Sequence, residues 1–127
     1  MAIKKDKFVL ELPINASPSL LFEFLSTPNG LQEWFADKVE DDGDEFTFSW
    51  GDAEDIAVRL GMEENKSVRY QWDYQGNEEY FEFEIDRSPI TNETILRITD
   101  FADKFDIDSQ KQLWETQIND LKHRIGS

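Results

Sequence analysis

The sequence contains no cysteine, so it can form no disulfide and offers no thiol nucleophile. It has one histidine, His123. A helical wheel puts His123 opposite Trp114, on a solvent face near a helix C-terminus, where positive charge is favoured. A Ser–His or Cys–His nucleophile pair therefore has no support. Basic residues are scarce: 13 Lys and Arg stand against 28 Asp and Glu, for a formal net charge of −15. Such a chain repels nucleic acid and anionic lipid and attracts a basic protein partner. No segment approaches the ~20 apolar residues of a membrane span, so no membrane insertion is expected. The opening MAIKKDKFVLELP has too short an apolar run for a signal peptide, and Glu11 interrupts it. A cytoplasmic location is the default expectation, although the lack of cysteine forces no compartment.

Ligand-holding motifs are also missing. There is no Gly-rich phosphate loop, no basic patch with interleaved aromatics, no repeat and no linker. The acidic run from Glu40 to Glu45 contains Gly43 but lacks the spacing and distal Glu of a calcium loop. Asp100, Asp103, Asp106 and Asp108 read as a loop entering a helix N-terminus, where acids complement the dipole. No metal site and no cofactor are expected.

Aromatics are plentiful. Hydrophobic residues make 39% of the chain and aromatics 13%, including ten Phe and four Trp, a content that disordered chains lack. At 127 residues this is one domain, 1–127, with one core. Its longest element is Phe105–Gly126. At 100° per residue, Ile107, Trp114, Ile118, Leu121 and Ile125 fall within about 60° of one another. Lys111 and Lys122 flank the stripe, and Glu115, Asn119 and His123 point away. Asp106 or Asp108 is placed to cap the start, and Gly126 to end the helix in the left-handed conformation. Burying the five apolar side chains is worth roughly 8–15 kcal/mol at most. This helix needs an apolar partner.

The rest of the chain supplies one. Phe8, Leu10, Leu12 and Ile14 alternate with polar neighbours, predicting a strand with one buried face. Ser17-Pro18 is an N-cap followed by a first-turn proline, and Leu20, Leu21, Phe24 and Leu25 give a helical apolar face to about Ser26. Pro28-Asn29-Gly30 breaks this helix, and Leu31, Trp34 and Phe35 add a further turn or two. A weak strand is expected over Ala36–Glu40, then a turn at Asp41–Asp44. Alternation follows at Phe46, Phe48 and Trp50, at Ile56, Val58, Leu60 and Met62, at Val68, Tyr70, Trp72 and Tyr74, and at Phe81, Phe83 and Ile85. Turns at Gly51-Asp52, Glu64-Asn65 and Gln75-Gly76-Asn77 separate them. Thr94–Phe101 is the last strand. Connections this short suit antiparallel hairpins. A sheet with one apolar face must be covered, and the final helix is the element long enough to do it. The predicted fold is α+β: a bent antiparallel sheet of about six or seven strands wrapped around a long C-terminal helix, with two short helices after the first strand.

Four stretches carry a family likeness: INASPSLLFEFLSTPNGLQEWF (Ile14–Phe35), FSWG (Phe48–Gly51), YQW (Tyr70–Trp72) and LWETQINDL (Leu113–Leu121). With this element order, the chain resembles the START-like, helix-grip (SRPBCC) superfamily. It is most similar to the branch of domains homologous to activators of the Hsp90 ATPase. The resemblance spans almost the whole chain and implies a cavity between sheet and long helix. Members hold lipids, sterols, polyketides or plant hormones there, some catalyse cyclisation, and others assist chaperones. A single small domain without a second module fits a chaperone activator poorly.

The expected site follows. Trp34, Phe48, Trp50, Tyr70, Trp72, Phe81, Phe83, Trp114 and Ile118 are candidate linings of a cavity for a small hydrophobic or amphipathic ligand, or else the filling of a core. Buried Tyr70 and Trp72 need hydrogen-bond partners. Arg59 and Arg69 are candidate polar anchors if a strand bulge turns either inward toward a ligand carboxylate. On the outer face they would instead pair across strands with Asp73, Glu82 and Glu84. A protein-interaction domain acting through its acidic surface is the alternative. A cyclase-like or hydrolytic enzyme would need an inward acid such as Asp73 or Glu82, and no spacing demands one.

Overall fold

A computed structural model describes residues 5–76 and 78–126. Residues 1–4, within the opening read against a signal peptide, and Asn77 of the expected Gln75-Gly76-Asn77 turn lie outside them. The order is β1 (Asp6–Ile14), α1 (Pro18–Ser26), α2 (Pro28–Gln32), β2 (Lys38–Asp42), β3 (Glu45–Trp50), β4 (Ala53–Glu63), β5 (Ser67–Trp72), β6 (Phe81–Arg87), β7 (Thr94–Ala102) and α3 (Ile107–Ile125). The strands form one antiparallel sheet ordered β1-β7-β6-β5-β4-β3-β2. The chain therefore runs from one edge to the other through α1 and α2, then returns strand by strand to pair β7 with β1.

Local chemistry sets the helix ends. Ser17 accepts from the Leu20 N–H at 3.2 Å, and Pro18 occupies the first turn. Thr27 closes α1 and caps α2, its hydroxyl accepting from the Gly30 N–H at 3.0 Å. Gly30 sits inside α2, where a Cβ would stand 2.1 Å from the Glu23 carbonyl oxygen. The helices cross there because glycine leaves room. At α3, Asp106 is the N-cap residue, but its carboxylate makes no capping bond. Gly126 ends α3 in the left-handed conformation with φ 82°.

Two apolar faces differ from expectation. On α1 the buried residues are Leu21, Phe22, Leu25 and Ser26, while Leu20 is 41% exposed. Ser26 tolerates burial because its hydroxyl donates to the Phe22 carbonyl at 2.7 Å, which lets the buried arc rotate past Leu20. On β4 the inward residue is Ala57, and Val58, Leu60 and Met62 are exposed. Ala57 stands opposite Phe46 on β3 and Trp72 on β5, so only a small side chain fits between those rings.

Cover of the concave face is shared. α1 packs over β5 and β6, α2 against β2, and α3 over β1 and β7. Trp114, Ile118 and Leu121 are the buried stripe of α3, with Ile107 and Ile125 packed at its ends.

Candidate functional site

The segment after α2 places two aromatic residues inside the sheet's curve. Indole N–H groups fasten it: Trp34 Nε1 donates to the Phe24 carbonyl at 2.8 Å, and Trp50 Nε1 to the Phe35 carbonyl at 2.9 Å. Phe35 then lies among Trp34, Phe48, Trp50, Trp72, Phe81, Phe83 and Trp114, with ring centroids 5.3 to 6.4 Å away. These are the separations at which rings pack edge to face or offset. Tyr70 is fully buried, and its hydroxyl donates to the Leu25 carbonyl at 2.8 Å. Burial raises that hydroxyl's pKa well above its ordinary value.

Most of the expected lining residues are thus brought together as a packed wall. Phe48, Tyr70, Phe83 and Ile118 are wholly buried, with Phe81 and Trp114 nearly so. Trp114 fills the space between helix and sheet against Phe35, Phe81 and Phe83. Phe35, the residue at the middle of this cluster, is one that the alternation pattern did not single out. The sequence reads it with Leu31 and Trp34 as part of a further helical turn or two, a stretch too short for its spacing to show that Phe35 is central.

The two arginines separate. β4 does bulge between Arg59 and Gly61, but Arg59 precedes the shift: it stands opposite Tyr70 on the same face as Ala57 and lies over the Phe46 ring at 5.4 Å. Its Nε and Nη2 both donate to Asp44 Oδ1, at 3.1 and 3.0 Å. It borders a groove of about 440 Å³ beside α1, with Phe22, Met62 and Asn65. Arg69 is on the outer face, contrary to an inward anchor. It meets Glu82 through two bonds of 2.9 and 3.3 Å and covers the Tyr80 ring at 3.9 Å. That ion pair raises its pKa. The register pairs Arg69 with Glu82 across β5 and β6 on the face away from the core, which also takes Glu82 out of the interior. Asp73 is exposed. Neither acid expected for an enzymatic role faces the packed wall.

Where the wall ends, near the start of α3, the structure adds a half-buried carboxylate. Asp100 belongs to β7 rather than to the loop before α3. Its Oδ2 accepts from Trp114 Nε1 at 3.0 Å and its Oδ1 from the Phe101 N–H at 2.8 Å. Burial raises its pKa above the usual aspartate range, against the lowering effect of those two bonds. Trp72 stands beside it, and the Tyr74 ring stacks on Trp72 at 6.0 Å with planes 7° apart. The Tyr74 hydroxyl is pushed up to about 12, first by partial burial and then by Asp55, Asp100 and Asp73. Asp100, Trp72 and Tyr74 line a cleft of about 290 Å³ together with Lys5, Gln75, Asp103, Asp106 and Gln110.

At the other end of α3 a shallower cleft of about 720 Å³ includes Trp34, Trp50, Asp120, His123 and Arg124. His123 is exposed, as the wheel predicts. Among the described residues no cluster of His, Asp and Glu is arranged to hold a metal ion. Among them, too, no helix is long and apolar enough to cross a membrane.

A sequence model of the START-like superfamily domain matches residues 1–127. No curated protein matches the chain. Among solved structures, the protein BfR322 from Bacteroides fragilis is 35% identical, with a TM-score of 0.69, covering 94% of this chain and 90% of its own. The protein MLL2253 from Mesorhizobium loti is 20% identical, with a TM-score of 0.77, covering 95% of this chain and 97% of its own. The Aha1 dimer from Colwellia psychrerythraea is 20% identical, with a TM-score of 0.74, covering 92% of this chain and 93% of its own.

Proposed function

This chain belongs to the START-like superfamily, whose domains often bind ligands or other proteins, and from that premise we propose that it binds a small amphipathic molecule. The binding place is the cleft at the start of α3, where the gap between helix and sheet reaches the surface. One observation carries this reading: the stacked Trp72–Tyr74 pair stands beside the half-buried carboxylate of Asp100 in a concave space. An apolar wall with one well-placed polar group is the usual composition of a small-molecule site. The volume of about 290 Å³ favours a small ligand over a lipid or sterol, because drug-sized ligands occupy roughly 300–1,000 Å³. The filled interior argues the same way, since Phe35 and Trp114 occupy the space that a long chain would need.

The test is a screen of small amphipathic compounds by thermal shift, followed by NMR of the indole N–H signals. Binding compounds should move the Trp72 and Trp114 signals and leave Trp34 and Trp50 unmoved. Stabilising compounds that move only Trp34 and Trp50 would place the site at the other end of α3 and overturn this reading.

The second reading, a protein contact through the acidic surface, draws support from the net charge of −15 and from Leu60 and Met62, which are 50% and 51% exposed on β4. A partner held this way should be lost from a pull-down at moderate salt, because exposed charges are screened beyond about 8–10 Å there. A pull-down that recovers nothing at low salt would sink it.

A further inference from the structure

We propose that the ligand of the cleft at the start of α3 is a cation, a protonated amine carried on a flat apolar body. This rests on the cleft being the binding site. Each oxygen of Asp100 accepts one hydrogen bond, from Trp114 and from the Phe101 backbone, and keeps further acceptor capacity. Among the described residues no Lys, Arg or His pairs with Asp100. The one basic residue in the cleft, Lys5, lies 3.8 Å from Glu79 Oε1 instead. Lys5 acts on Asp100 only through space, without an ion pair, so a carboxylate withdrawn from water here still gains from a charged donor that arrives with a ligand.

Two further observations point the same way. Tyr74 is 64% exposed yet stacked on Trp72, so the pair presents a flat aromatic surface toward the cleft. Such surfaces attract cations through the negative face of the ring. Asp103 and Asp106 also line the cleft, so three carboxylates oppose one ammonium there. The positive end of the α3 dipole, which would favour an anion, is already faced by Asp106 and Asp108. A ligand carboxylate would meet repulsion from Asp100, Asp103 and Asp106, with Lys5 the one basic residue lining the cleft.

The experiment uses the full chain and three probes of matched shape: 2-phenylethylammonium, 2-phenylethanol and 3-phenylpropionate. Each is titrated at physiological salt while the Trp72 and Trp114 indole signals are followed. The ammonium should bind at least tenfold more tightly than the alcohol, and the carboxylate should not saturate. Asp100→Asn removes the charge and keeps one acceptor oxygen, which can serve Trp114 or the Phe101 N–H but not both. It should erase the tenfold preference, so that the ammonium and the alcohol bind alike. Asp103→Asn controls for general attraction to an acidic surface and should erase less of the preference. Tyr74→Ala, at an exposed position, should weaken the ammonium several-fold. Equal or tighter binding of the alcohol or the carboxylate at the same signals would overturn the cation and leave the cleft standing. So would a preference lost equally in both Asp variants. Failure of all three probes to move either indole would overturn the cation and the cleft together.

Discussion

Phe35→Ala tests whether the interior is packed or open. Phe35 is buried, and seven other aromatic rings surround it with centroids no more than 6.4 Å away. Truncation forfeits roughly 2–3 kcal/mol of transfer free energy for the lost ring. The space left behind, roughly 80 Å³, adds about 2 kcal/mol at about 24 cal/mol per Å³ if the surrounding rings stay in place. They have little freedom to move, because the indoles of Trp34, Trp50 and Trp114 are all hydrogen-bonded. The expected loss is therefore about 4 kcal/mol, a large part of the 5–15 kcal/mol typical of a domain. Urea denaturation followed by tryptophan fluorescence reads it as a midpoint lowered by about 2 M with an unchanged slope. Benzene should restore part of the loss by occupying the dry void. A loss below about 1.5 kcal/mol, with no benzene effect, would mean that Phe35 borders open space and that the packed interior described above is wrong.

Three other substitutions probe different parts of the molecule. Gly30→Ala puts a methyl against backbone atoms of Glu23 and Phe24; overpacking of about 3 kcal/mol should outweigh the ~1 kcal/mol gained in helix propensity, and thermal melts showing a neutral or stabilised variant would contradict the close approach of α1 and α2. Asp100→Asn tests the desolvated carboxyl. Its folded pKa is raised above the ordinary 3.8, so its stabilising contribution is full below that value and is lost as pH rises through the folded one. The Asn variant should therefore gain on the parent protein as pH rises above about 4, and parallel stability curves would refute the burial of the charge. An Arg69/Glu82 double-mutant cycle should give a coupling of about 0.5–1 kcal/mol that shrinks in high salt, whereas a salt-independent value would mean that the pair is more enclosed than its outer-face position indicates.

Periodicity carried the architecture and failed where it carried no information. The α3 stripe of Trp114, Ile118 and Leu121 is buried as the wheel predicts. Ser17-Pro18 starts α1 at the expected residue. β4 misleads because both of its parities hold apolar residues. The choice of Ala57 as the inward one depends on ring sizes in Phe46 and Trp72, which belong to other strands. Asp100 was hidden by its company: with Asp103, Asp106 and Asp108 it reads as a helix-start loop. Its distinction comes from a hydrogen bond to Trp114, fourteen residues away. Arg59 needs no bulge to share the face of Ala57, since it stands in regular register opposite Tyr70, and its engagement by Asp44 depends on how β3 and β4 pair.

The edge strand β2 gives the protein's acidity another purpose. In the sheet β2 pairs with β3 alone, and on its other side the Val39 N–H donates to Gln32 Oε1 at 3.0 Å, so α2 covers part of that edge and the remainder is open backbone of the kind onto which a second chain can add a strand. Along that edge Glu40, Asp41 and Asp42 are all exposed, with Lys38 the only base. A strand from an identical molecule would bring the same carboxylates face to face. This part of the charge that looks like bait for a basic partner thus also works as a fence, keeping copies apart while it stays ionised. Near the isoelectric point of about 4.3 that fence comes down, and colloidal stability should fail there before the fold does.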